Sequence, residues 1–337
     1  MNEVVVLTDF GSTEGSAEHL RAAVELVTGR SPVVLDSRLF YHGGPGRARI
    51  EGSAVILEVP PAVVVRPSVV IVYEIPPADR YRFEHVQAVI EGSSVVCLGG
   101  NARAWRNATD KHRTVERFTE TGVAQMDSLL LDNPSHDTAL TAFERLGRDV
   151  WARPAIGFGG RDVFHITDPG QLSAATTHYA AHGRRWLLTR DAGNFDRDGR
   201  RHQYRVVVLA DRVLRICEHV QADPDVPCNE SQGAVSTVLP LNALPRHLLD
   251  LAVRATAALG LPFGGVDLVS EHGGRVFEVN VHPVLDVPQG FRTVAVPYVQ
   301  AHFSNPGAEN GLKLTGSPNH TSGDRAERGT TVRLPRG

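Results

Sequence analysis

Apolar residues along the chain follow two spacings, one of period two and one of period 3.6, and together they predict alternating strands and helices. Residues 4–7 (Val4-Val5-Val6-Leu7) read as a short buried strand. Residues 14–28 follow with Leu20, Val24 and Val27 on one helical face, closed by Gly29. Further apolar runs at 32–35, 54–59, 69–73 and 94–98 read as strands. Strands alternating with helical patterns over residues 1–100 predict a small, mostly parallel sheet. Residues 107–122 read as one helix with Val115 and Phe118 on a face and Gly122 as its C-cap. Residues 149–154 form a strand ahead of the glycine-rich turn "PAIGFGGRDVFHI", and "RRWLLTRD" and "HQYRVVVLADRVLRICEHV" supply antiparallel signal. Residues 245–259 form an amphipathic helix, with Leu248, Ala252, Ala255 and Leu259 on one face, Pro245 at its start and Gly260 at its end. The apolar hairpin "GGVDLVSEHGGRVFEVN" (264–280) follows it. From about Phe303 periodicity stops, and residues 304–337, rich in Gly, Ser, Asn, Pro and Arg, are expected to be disordered.

Composition narrows the function. With 337 residues there is length for two or three packed units, and a net charge of −3 offers no basic field for nucleic acid or an acidic membrane. Cys97, Cys217 and Cys228 have no metal-type spacing, and an odd, sparse count fits reduced thiols. No basic segment precedes Val4, and no apolar run approaches the roughly 18 residues of a membrane helix, so a cytoplasmic, membrane-free protein is expected. Of 35 basic residues only Lys111 and Lys313 are lysines, so each lysine calls for a reason.

The hairpin carries three residues that strands disfavour. With a turn centred on His272-Gly273, strand partners place Asp267 opposite Glu278 and Asn280 opposite Gly265. Residues two apart share a face, so Asp267, Glu278 and Asn280 converge, the directly opposed pair having Cβ atoms about 5 Å apart. Two carboxylates so close repel unless a cation lies between them. Three oxygen side chains favour a hard divalent ion, Mg²⁺ or Mn²⁺, while Phe277, Val279 and Val281 pack on the other face. Taken alone, the same pattern also suits an edge hairpin whose polar face meets water.

The succession "AALGLPFGGVDLV…GGRVFEVNVHP" resembles the end of an ATP-grasp domain, and is most similar to RimK-like and glutathione-synthetase-like carboxylate–amine ligases. Other pieces fall in that family's order over about 105–290: "NATDKHRTVERFTETGV", "DVWARPAIGFGGRDV", "HQYRVVVLADRVL" and "CNESQGA". The resemblance implies an α/β (α+β) ATP-grasp fold in which two α+β subdomains sandwich ATP. Its divisions are an N-terminal small parallel α/β domain (1–104), a central subdomain with the flap (105–192), a C-terminal subdomain with the metal site (193–303) and the tail (304–337). It implies phosphate contacts for Lys111 and for Arg153, which stands where the family usually has a second lysine. Gly157, Gly159 and Gly160 would give backbone approach to the phosphates, and Arg205 would steady an acyl phosphate and its transition state. Asn229 would lie near metal and substrate. Thr189, Arg190 and Asp191 fall in the adenine-lining linker, where the family's usual Gln-Glu-aromatic segment is replaced by "LLTRDAGNFD". Metal ligation falls to Asp267, Glu278 and Asn280. His202, His282 and Cys228 are read as having no role in the chemistry.

The implied activity is ATP- and Mg²⁺-dependent joining of a small-molecule carboxylate to an amine through an acyl phosphate, in a homodimer or tetramer. Three alternatives stay open at this point: transfer to a protein or carrier-protein substrate, phosphorylation or thioester formation without an amide, and a degenerate nucleotide-binding regulator.

Overall fold

The computed structural model describes residues 3–99, 101–285 and 289–304. These lie in one compact unit, Met1–Asn305, and the expected disordered tail falls outside the described residues apart from Ser304. The N-terminal part begins with β1 (Glu3–Thr8), α1 (Ser16–Thr28) and β2 (Val33–Asp36). It continues through β3 (Arg47–Glu51), β4 (Ala54–Val59), β5 (Val63–Val65), β6 (Pro67–Tyr73) and α2 (Arg80–Glu91). Only β2-β1-β6 form the expected parallel sheet, and β3-β4-β5 make a separate antiparallel one. Residues 54–59 therefore do not join the parallel sheet. The link from β3 is two residues, Gly52-Ser53, with Gly52 at φ 64, and so short a link permits only an antiparallel hairpin. The run 94–98 is likewise no strand, and only Val96 bridges Val69.

The helix expected over 107–122 is two helices, α3 (Ala102–Thr109) and α4 (Lys111–Thr121). Asp110 breaks it: its backbone is extended (φ −88, ψ 107), and its carboxylate accepts from the His112 N–H as the N-cap of α4. This break sets Lys111 at the first position of a helix.

A four-stranded antiparallel sheet, in the order β7-β10-β8-β9, comprises β7 (Ser128–Leu131), β8 (Val150–Pro154), β9 (Phe164–Ile166) and β10 (Trp186–Arg190). Helices α5 (His136–Arg145) and α6 (Pro169–Ala181) pack on it around Phe143, Leu172 and Tyr179. A five-stranded antiparallel sheet then runs β13-β12-β11-β14-β15. Its strands are β11 (Arg201–Leu209), β12 (Arg212–Gln221), β13 (Val235–Leu239), β14 (Phe263–Val269) and β15 (Arg275–Asn280). Helix α7 (Arg246–Leu259) joins β13 to β14, and α8 (Val296–Ser304) ends the described chain.

The five-stranded sheet is apolar on one face; its other face is apolar at the end carrying Val207, Leu209 and Phe263 and polar beyond it. Val206, Val208, Ile216, Val266 and Leu268 alternate toward one core with Leu248, Leu251 and Ala255 of α7. The intervening residues Gln203, Arg205, Arg215, His219 and Asp267 therefore share the opposite face. A charged residue at alternate strand positions is costly to bury unless something pairs with it, so this face is where function is sought.

Candidate active site

The hairpin register is as the sequence predicts through the polar residues: Gly265 pairs with Asn280 and Asp267 with Glu278. Beyond Asp267 a bulge shifts the ladder, so that Leu268 faces Val276 and Val269 faces Arg275. The turn accommodates this with His272 (φ 55), Gly273 (φ 77) and Gly274 (φ 95). Phe277 is the extra residue. Instead of packing inward with Val279 and Val281 it lines the cleft, because a bulge re-aims the unpaired side chain.

The neighbouring strand completes a row of charge, since Arg205 on β11 lies directly opposite Asp267. Its Nε and Nη2 donate to Asp267 Oδ1 and Oδ2 at 2.7 and 2.8 Å, a bidentate pair. Asn280 Nδ2 donates to Asp267 Oδ2 at 3.1 Å, which leaves Asn280 Oδ1 free to face a cation. Glu278 Oε2 lies 3.3 Å from Lys111 Nζ. Burial and the Glu278 charge push the Asp267 carboxyl up against the opposing pull of Arg205. Burial also pushes Glu278 up, but Lys111, Arg153 and Arg205 outweigh it and hold its carboxyl below the usual range. Two carboxylates and an amide oxygen, all hard donors on one face, fit a Mg²⁺ ion.

Three cations and two anions meet here, so the protein supplies an excess of positive charge. Arg153, on β8 opposite Leu187, is the unbalanced one: burial lowers its pKa, and among the described residues its Nε has no hydrogen-bond partner. A buried guanidinium with an unmet donor beside a cleft suits an incoming anion.

The glycine-rich segment covers this row. Lys111 Nζ donates to Gly157 O at 3.1 Å, and the Lys111 N–H donates to Ala155 O at 2.9 Å, which ties the start of α4 to the flap's root. Gly159 (φ 65) and Gly160 (φ 68) adopt left-handed conformations that favour glycine. Gly159 O accepts from Ser231 Oγ at 2.6 Å and Gln232 Nε2 at 3.1 Å. Asn229 builds that latch: its Oδ1 accepts from the Ser231 N–H, capping the 3₁₀ turn Glu230–Gln232. The flap is thus latched over a cleft of about 130 Å³.

Of the sequence-predicted residues, Lys111, Arg153, Gly157, Gly159, Gly160, Thr189, Arg190, Asn229, Asp267 and Glu278 line this cleft. Arg205 and Asn280 adjoin the cleft through Asp267, to which both donate. Asp191 is placed otherwise: its carboxylate accepts from Trp151 Nε1 at 2.6 Å and pairs with Arg201 Nη1 at 2.7 Å. Arg201 is 2% exposed, and its guanidinium lies 4.8 Å from the Trp151 ring and 4.6 Å from that of Phe195. Trp151, Arg201, Gln203, Phe158 and Phe277 were not anticipated. The signal for Arg201 and Gln203 was present in their phase with Arg205 on one strand. No sequence signal marks Phe277, because a bulge leaves no periodic trace.

Two antiparallel sheets closing a glycine-rich flap over one cation-rich cleft is the arrangement of the ATP-grasp fold, which this chain has. The chain is similar to ATP-grasp ligase PsnB in complex with a minimal precursor (TM-score 0.65, 16% identity, covering 90% of this chain and 98% of that one). It is similar also to D-cycloserine synthetase DcsG (TM-score 0.64, 19% identity, 90% and 100%). In sequence it is 25% identical over 211 residues to a probable alpha-L-glutamate ligase of Haemophilus influenzae strain PittEE. That match covers 58% of this chain and 63% of the relative, so it spans less than two thirds of the relative's length. No family model matches the chain.

Proposed function

We propose that the chain is an ATP- and Mg²⁺-dependent carboxylate–amine ligase that forms an amide through an acyl phosphate. The observation that carries this reading is the row Arg205–Asp267–Glu278–Lys111 beneath a latched glycine flap. A bound Mg²⁺ would be held by Asp267, Glu278 and Asn280 and would neutralise charge on the nucleotide phosphates. Lys111 and Arg153 hold the phosphates from the flap side, and Arg205 acts through the Asp267 carboxylate that it holds. A substrate carboxylate oxygen attacks the γ-phosphorus, the bond to the β-phosphate oxygen breaks, and ADP leaves. An amine nitrogen then attacks the acyl carbon, phosphate departs with the C–O bond pair, and the nitrogen loses a proton. Positioning and charge do the catalysis, so no nucleophilic Ser or Cys is called for. The Ser231–Gly159 latch keeps water from the acyl phosphate.

The similarity to a probable glutamate ligase and to two ATP-grasp enzymes supports this chemistry, and another PsnB structure contains Mg and ADP with its precursor. Among the described residues no helix is long and apolar enough to cross a membrane. The test is an ADP-release screen of acid–amine pairs with mass detection of product. Amide and ADP in equal amounts support the ligase; ADP without amide for any pair refutes it. Glu278→Gln is expected to reduce turnover by at least about 100-fold, because it removes a charge that holds the metal.

A further inference from the structure

The Ser231–Gly159 latch ties the tip of the flap to the five-stranded sheet, and a second tie, at the flap's base, plays no part in the chemistry above. Strand β9 follows the flap directly, and His165 at its centre pairs across the ladder with Trp151 on β8. Cross-strand partners share a face, and the His165 ring stacks on the Trp151 ring at 4.7 Å with 16° between the planes. Trp151 lines the cleft, so His165 backs one of its walls. Both ring nitrogens of His165 meet carboxylates: Nε2 lies 2.7 Å from Asp149 Oδ1, and Nδ1 lies 2.7 Å from Asp225 Oδ1. Asp149 immediately precedes β8, whereas Asp225 stands in the loop between β12 and β13 of the other sheet. That loop runs on into the latch turn, and Arg201 Nε also holds it by donating to Pro224 O. Asp223 Oδ1 accepts from the Asp225 N–H within it. The remaining charges near the ring are Arg201, across Trp151, and Asp191, whose carboxylate lies within 4.8 Å of Asp149 and His165. Asp191 already accepts from Trp151 and the Gly193 N–H and pairs with Arg201, so its charge is met away from the ring. An ionised carboxylate only accepts, so each ring nitrogen that bonds one must carry a proton, and only an imidazolium carries two.

We propose that His165 is a positioning residue: as an imidazolium it bridges Asp149 and Asp225, and so holds the base of the flap against the loop that leads to the latch. When the ring loses a proton, one nitrogen turns a lone pair toward a carboxylate, and that side of the bridge is released. The bond to Asp149 adds little, because β8 and β9 are already paired strands of one sheet. The bond to Asp225 spans the two sheets, and its loss leaves the flap held at its tip alone. The tie is therefore whole below the histidine range and weakens as pH rises through it. It belongs to the two sheets themselves and does not rest on the ligase reading.

The test uses Asp225→Ala and Asp225→Asn in the full chain, because the Asp225 side chain is 76% exposed and neither change disturbs packing. Hydrogen exchange of the flap amides 155–163 is measured at pH 6.0 and 8.5, each variant against the unaltered protein at the same pH. Asp225→Ala should speed exchange about 2- to 5-fold at pH 6.0, the worth of an exposed ion pair, and leave it unchanged at pH 8.5, where the tie is already lost. Asp225→Asn offers an amide N–H to the neutral ring, so at pH 8.5 its flap should exchange more slowly than that of the unaltered protein. Equal acceleration by Asp225→Ala at both pH values would make Asp225 a structural residue and overturn the proposal, as would no acceleration at either. The Kd for Mg²⁺-ATP, by titration calorimetry, should rise about 2- to 5-fold in Asp225→Ala at pH 6.0 only, and a Kd that does not move there refutes the action of His165 on the cleft. Should the unaltered protein bind no Mg²⁺-ATP, the nucleotide reading fails, and the exchange pattern alone decides whether the tie exists.

Discussion

Asp267→Asn separates the structural and chemical roles of the reacting row. The change removes the charge that meets Arg205 through two hydrogen bonds of 2.7 and 2.8 Å. Asp267 has 4% and Arg205 14% of its side chain exposed, so little water replaces the lost partner. Breaking a buried pair by removing one member costs roughly 3–5 kcal/mol, and the slight exposure of Arg205 argues for about 3. At roughly 2–4 °C per kcal/mol for a chain of this order of size, the melting temperature should fall by about 6–12 °C. Glu278→Gln is the control. Glu278 is 28% exposed, and its partner Lys111 keeps the Gly157 carbonyl, so its cost is about 1 kcal/mol or less. Both variants should also lose the stabilisation that Mg²⁺-ATP gives the unaltered protein, about 2.7 kcal/mol at a hundredfold excess over Kd. Calorimetry or dye-monitored melting with and without Mg²⁺-ATP reads all three quantities. If Asp267→Asn melts within 2 °C of the unaltered protein, or no lower than Glu278→Gln, the reasoning about the Arg205 pair is wrong.

Acid should destabilise the protein earlier than carboxylate titration would. Burial lowers His219 and His302 from the ordinary 6.5 to about 4, and His302 is fixed neutral by donating to Tyr298 O while accepting from the Leu98 N–H. The unfolded chain binds those protons first, so this stability is fully present above pH 6.5 and declines as pH falls toward 4. Urea unfolding at pH 7.5 and 5.5 should differ by about 2 kcal/mol from these two groups, with His302→Gln flattening the profile; a flat profile in the unaltered protein contradicts it. Ser231→Ala removes the shorter bond of the flap latch and should raise ADP release without amide by several-fold, while Gln232 keeps the flap partly closed. Gly160→Ala places a Cβ 2.9 Å from Gln232 Cγ at φ +68, and a left-handed alanine costs about 1–2 kcal/mol, so KM for ATP should rise roughly 5- to 30-fold. An unchanged KM would mean that the flap does not act through this conformation.

The parts of the site that obey a period were legible in the sequence. Asp267 and Glu278 were paired correctly because alternation fixes strand faces and the bulge falls just beyond them. Lys111 stood out through the rarity of lysine, although the break at Asp110 that positions it was missed, because Asp within a helical pattern gives no sign of whether it caps or is merely tolerated. Interactions between distant segments were not legible. The Trp151–Asp191–Arg201 cluster joins β8, the end of β10 and β11, and nothing local links its members. The antiparallel β3-β4-β5 sheet hangs on the two-residue turn Gly52-Ser53, and the apolar run at 54–59 carries no sign of which sheet it joins.

The contact between Lys111 and Glu278 sets an order of arrival. A tethered ammonium already stands where a dissolved divalent ion would seek charge, and it sits at 3.3 Å from the same carboxylate. Free Mg²⁺ must compete with a cation that pays no entropy of capture. On the proposed ligase reading, nucleotide would change the contest by giving Lys111 an alternative anion and bringing the metal with it. The metal would then enter as a complex with its nucleotide rather than as the bare ion.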